Sequence, residues 1–65
     1  MPTPPKLSLA PRELQVATLA ASGLRNREIA IDLRIKENTV KKYLMRIFDK
    51  VGCSNRVELS LWINR

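Results

Sequence analysis

The sequence predicts an all-α fold: a four-helix domain containing a helix-turn-helix unit. Three observations carry that expectation. No stretch alternates apolar and polar residues at the period of two that a half-buried strand requires. Apolar residues recur instead at helical spacings of three and four in successive segments. Helix punctuation brackets those segments, with Pro11 and Asn55 near two starts and Gly23 and Gly52 at two ends.

Residues 1–8, MPTPPKLS, hold three of the four prolines and read as a flexible linker or arm. Residues 9–65 then form the domain. A chain of 65 residues makes one domain at most, and at this size it buries only about 60% of its unfolded surface. The first helix runs from about Pro11 to Ser22. Glu13 sits where a capping-box acid would, although Ala10 has no side-chain oxygen to complete the box, a loss of ~1 kcal/mol. Val16, Leu19, Ala20 and Gly23 share its apolar face, and Leu9 and Leu24 flank it as core plugs. The second helix is expected from Asn26, a good cap, to Leu33, burying Ile29, Ala30 and Leu33. The third spans Glu37 to Val51. Its residues Val40, Tyr43, Leu44, Ile47, Phe48 and Val51 lie on one continuous arc, opposite Asn38, Lys41, Lys42, Met45 and Asp49. The last begins with Asn55-Arg-Val-Glu58, a capping-box pattern, and runs to about Ile63. Its apolar residues take two sides, Val57 with Leu61 and Leu59 with Trp62 and Ile63. A domain of this size rarely needs a helix buried twice over, so one of the two sides is read as belonging to a partner.

Charge narrows the function. Twelve Lys and Arg against six Asp and Glu leave a net charge of +6, which favours an anionic partner such as nucleic acid over a bare solvated surface. Arg34, Lys36, Lys41, Lys42, Arg46 and Lys50 crowd residues 34–50, opposed there by Glu37 and Asp49. Histidine is absent. The usual general base and commonest metal ligand are thereby missing, and no nucleophile–base pair or phosphate loop appears, so neither an enzyme nor a metal or cofactor site is expected. The single cysteine, Cys53, reads as a small core hydrophobe in a reducing compartment. No apolar run reaches membrane-span length, and the protein is expected to be cytoplasmic.

The second and third helices are separated only by Arg34, Ile35 and Lys36, the spacing of a helix-turn-helix unit. Such a unit needs a small residue where the helices cross, supplied by Ala30. It needs apolar pins around the crossing, supplied by Ile29, Leu33, Ile35 and Val40. A left-handed residue in the turn would cost Arg34 roughly 1 kcal/mol relative to Gly. A DNA major groove, about 12 Å wide, admits one helix. The exposed face of the third helix offers Asn38, Lys41, Lys42 and Met45 to base edges, while Arg27, Thr39 and Arg46 suit phosphates. Singly, each is an ordinary surface residue; their clustering on one face is the signal.

In order, Leu9-Ala-Pro-Arg-Glu13, Gly23, Asn26-Arg-Glu-Ile-Ala30, Thr39-Val-Lys41, Lys50-Val-Gly52 and Asn55-Arg-Val-Glu-Leu59 resemble the LuxR-type (GerE-like) helix-turn-helix domain of bacterial transcription regulators. The resemblance covers nearly everything after residue 8. It implies a third helix in the major groove and a homodimer on DNA through the last helix, here Leu59, Trp62 and Ile63. By position, Lys41 would be a principal DNA contact, Lys42 and Met45 neighbouring readers, and Arg27 and Thr39 backbone contacts, with Asn26 a further DNA-binding residue. Expected partners are double-stranded DNA, RNA polymerase and an upstream regulatory domain, with no membrane. The chain departs from the family pattern at Ala10, where a Thr or Ser cap is usual, at Lys36, where a Ser would cap the third helix, at Tyr43, where His is common, and at Met45, often polar or basic. Two other readings compete. A sigma-factor-like promoter reader would share the fold, whereas a protein-interaction module acting through the last helix would survive loss of Lys41 and Lys42.

Overall fold

The computed structural model describes residues 9–64, arranged as α1 (Pro11–Ala21), α2 (Asn26–Leu33), α3 (Glu37–Val51) and α4 (Arg56–Ile63). The all-α expectation holds. The expected arm, residues 1–8, lies outside the described residues, as does Arg65.

Each helix boundary has a local cause. Pro11 occupies the first turn of α1, where its missing N–H costs nothing, and Glu13 Oε1 accepts from the Ala10 N–H at 2.8 Å. Ala10 supplies no return bond, so only half of the box forms. Gly23, at φ 96°, ends α1 one residue past the Ser22 cap, and the Leu24 N–H reaches back to the Leu19 carbonyl at 3.2 Å. The helix is thus one residue shorter than expected. Gly52 closes α3 at φ 78°, a conformation that costs glycine nothing and any larger residue about 1–2 kcal/mol.

At the start of α2 the expectation needs correcting. Arg25, not Asn26, is the cap, and Asn26 is the first helical residue. Glu28 fixes that position by accepting from the Arg25 N–H at 2.8 Å. Asn55 does cap α4, accepting from the Glu58 N–H at 2.9 Å. There the Glu58 carboxylate turns to the Ser54 N–H at 3.3 Å.

One core unites the four helices. Its fully buried larger side chains are Val16 from α1, Ile29 from α2, Val40 and Ile47 from α3, and Leu59 from α4. Ala17, Ala20 and Ala30 let the backbones approach closely, while Leu9 and Trp62 close the ends. On α1 the buried face is Val16, Ala17 and Ala20; Leu19 is only half-buried and Gly23 is exposed. Leu33 and Ile35 are half-buried pins beneath the α2–α3 crossing. Cys53 is likewise half-buried, its thiol pushed above the ordinary range by burial first and by the Glu58 charge second. None of the described helices is long and apolar enough to cross a membrane.

The turn between α2 and α3 carries the strain the sequence raised. Arg34 is left-handed, at φ 57° and ψ 46°, and the Ile35 N–H bonds back to the Ala30 carbonyl at 3.0 Å. Arg34 is exposed, so its side chain offers no packing in return. Replacing it by glycine should therefore stabilise the fold by about 1 kcal/mol. Urea unfolding would show this as a higher midpoint; an unchanged or lower midpoint would mean that the turn is not strained.

Candidate nucleic-acid interface

α3 is two-sided in the way its sequence implies. Val40, Leu44, Ile47 and Val51 are buried, with Tyr43 and Phe48 half-buried beside them. Asn38, Lys41, Lys42, Met45 and Asp49 all face solvent, as does Arg46 on the flank. Met45 is 72% exposed, which gives this polar face one large apolar side chain.

Three anchors hold α3 in place. Along its length, α1 and α2 pack against its apolar stripe. At its beginning the Arg34 turn sets its direction relative to α2. Near its end the Lys50 ammonium meets Glu13 Oε1 at 2.8 Å. Glu13 is only 4% exposed, and the same oxygen accepts from the Ala10 N–H. The Lys50 hydrogen bond first, and the Ala10 hydrogen bond next, hold its carboxyl below the usual range near 4.5. Burial opposes them, and the charges of Lys50 and Arg46 reinforce them.

The starts of α2 and α3 are open. Their caps, Arg25 and Lys36, make no side-chain cap hydrogen bond. Their first backbone N–H groups therefore remain available to an outside acceptor, in the polarity that suits an anion. Arg27 is exposed on the first turn of α2, and Thr39 is half-buried on that of α3. Asn26 is half-buried, and its carboxamide oxygen accepts from the Arg56 guanidinium. Arg56 also donates to the Leu24 carbonyl at 2.7 Å. With the oxygen so engaged, Asn26 has N–H donors left to present.

A helix-turn-helix with basic residues on its exposed second helix was the arrangement expected of the LuxR type. The family model for luxR-family bacterial regulatory proteins, GerE, matches residues 7–63. The chain belongs to the luxR family. The response regulator Rre1 of Synechocystis is 45% identical over 89% of this chain and 25% of its own length. The probable HTH-type transcriptional regulator GfsR of Streptomyces halstedii is 43% identical over 91% of this chain and 25% of its own. For the nitrate/nitrite response regulator NarL of Escherichia coli K12 the figures are 39%, 88% and 26%. The chain thus spans about a quarter of the length of these relatives. The family is one of bacterial regulatory proteins, and the names of these relatives are those of a probable transcriptional regulator and of two response regulators.

Within this luxR-family domain, α4 corrects one expectation. Leu59 and Trp62 were assigned to a dimer interface, but both are buried inside the single chain, and Ile63 is half-buried against the same core. A domain this small needs that side of its last helix to complete its interior. The apolar residues α4 leaves outside are Val57 and Leu61, 71% and 63% exposed. Sequence reasoning also missed Arg56, whose neighbours were read only for capping. A cation directly after one cap residue and an Asn read as another cap carry no periodic signal that would pair them across 30 positions.

The Glu13–Lys50 anchor generates a pH dependence. A carboxyl whose folded pKa lies below its unfolded one stabilises the fold above the unfolded value, near 4.5 here, and that contribution is lost as pH falls through the folded value. In urea titrations from pH 7 to pH 2, the wild type should lose stability below about pH 4.5 more steeply than Glu13→Gln. Parallel curves would remove Glu13 as the source.

Proposed function

We propose that this chain is a sequence-specific reader of double-stranded DNA, the output domain of a bacterial transcription regulator, with α3 lying in the major groove. One observation carries the reading: α3 buries an apolar stripe and turns Asn38, Lys41 and Met45 outward on the opposite face. Lys41 is suited to guanine O6 and N7, Asn38 to adenine, and the Met45 thioether to a thymine methyl. Lys42 stands at the edge of that face. Asn26, Arg27, Thr39 and Arg46 flank it and suit phosphates, as do the open starts of α2 and α3.

The family membership supports transcription regulation, and the relatives' names add response regulation. Their fourfold greater length supports an upstream regulatory domain as a partner, and RNA polymerase is the downstream one. Two copies would meet on DNA through α4, across Val57 and Leu61, its exposed apolar pair. The compartment is that of the DNA, the bacterial cytoplasm.

Selecting bound sequences from a pool of random 30-base-pair duplexes tests the whole reading. A two-fold enriched motif is expected, and recovery of the pool unchanged would overturn sequence recognition. On the enriched site, Lys41→Ala should weaken binding by ~1–3 kcal/mol and relax preference at one position. Arg27→Ala should weaken all sequences alike and flatten the salt dependence by about one unit. Footprinting and a salt titration read these two effects separately.

A further inference from the structure

Four residues on the flank of α3 line a small cleft: Thr39, Lys42, Tyr43 and Arg46. Their numbers follow i, i+3, i+4 and i+7, which places them in one stripe of the helix surface. The chemistry of the cleft is one-sided. Hydroxyl, ammonium, phenol and guanidinium all donate hydrogen bonds, two carry positive charge, and no carboxylate lines it. Among the described residues, none of the four side chains forms a hydrogen bond or ion pair within the protein. Their donors are unspent.

Tyr43 makes the cleft more than a row of surface cations. Its ring is half-buried and packs against the core, so the phenol is anchored at one end. No buried side-chain oxygen or nitrogen among the described residues lacks a partner. The hydroxyl, which has none within the protein, therefore reaches solvent at the cleft. A rigid aromatic with a polar tip gives up little freedom when it donates, unlike the long chains of Lys42 and Arg46. The cleft also lies beside the exposed Lys41 and Met45, where a DNA backbone would pass if α3 occupies the major groove.

We propose that Thr39, Lys42, Tyr43 and Arg46 form a pocket for one backbone phosphate of DNA, with the Tyr43 hydroxyl as a direct donor to it. The inference rests on the DNA-binding reading above and refines it. Tyr43 joins the interface as more than a core residue, and Lys42 serves the backbone instead of a base. Thr39 and Arg46, assigned to phosphates separately, act on the same one. The pocket positions α3 in the groove without reading sequence.

The test is fluorescence anisotropy of the 65-residue chain with random-sequence duplexes and with one selected site, across a salt titration. Tyr43→Phe removes a single oxygen and leaves the packed ring in place. It should weaken binding about threefold to tenfold, equally on both DNAs, with an unchanged salt slope because the hydroxyl is uncharged. Its thermal midpoint should match the wild type. Lys42→Gln should flatten the salt slope by about one unit while the enriched sequence stays the same. Undiminished binding by Tyr43→Phe would overturn the proposal, as would a loss confined to the selected site. Were Tyr43→Phe to unfold, an unchanged slope or an altered preference in Lys42→Gln would overturn it instead. Absence of binding by the wild type at low salt would overturn the DNA reading itself, a result distinct from all of these.

Discussion

A carboxylate with almost no exposure organises this domain. Glu13 closes the first turn of α1 by accepting from the Ala10 backbone, and through the same oxygen it takes the ammonium of Lys50 near the far end of α3. The two helices are thereby referenced to each other 37 residues apart in sequence. An unpaired carboxylate here would be costly, because removing a charge from water without compensation is among the largest penalties a small fold can meet. Lys50 is itself partly exposed, so the pair adds orientation more than raw stability. What α3 presents to the outside depends on that orientation.

Much of this was legible in the sequence because the core is periodic. The stripe of Val40, Leu44, Ile47 and Val51 repeats at helical spacing with no interruption, and its polar opposite face follows by geometry alone. Gly23 and Gly52 announced their turns for the same reason: their left-handed conformations are the ones glycine tolerates. Arg34 shows the converse. Nothing in its chemistry favours φ > 0, yet the three-residue spacing between two strong helices left the chain little alternative.

What was not legible lies in pairings between elements. Asn26 has the chemistry of a cap, and local rules give it that role; the structure gives the cap to Arg25 because Glu28 fixes the register and Arg56 claims the Asn26 oxygen from α4. The two apolar sides of α4 were visible, but which one faces inward is decided by α1, against which that helix packs. Tyr43 posed a similar ambiguity. An aromatic at the edge of an apolar arc is core by its ring and surface by its hydroxyl, and periodicity weighs only the ring.

The fully buried side chains Val16, Ile29, Val40, Ile47 and Leu59 come from all four helices. No helix is a peripheral ornament that could be shed with the interior left intact. A domain of this kind has no stable fragment, and it is expected to lose its structure all at once. The surface proposed to face DNA is the reverse side of that same interior. A protease cut inside α1, α2 or α4 would erase the outward face of α3 as surely as a cut within it, so that face is present whole or absent.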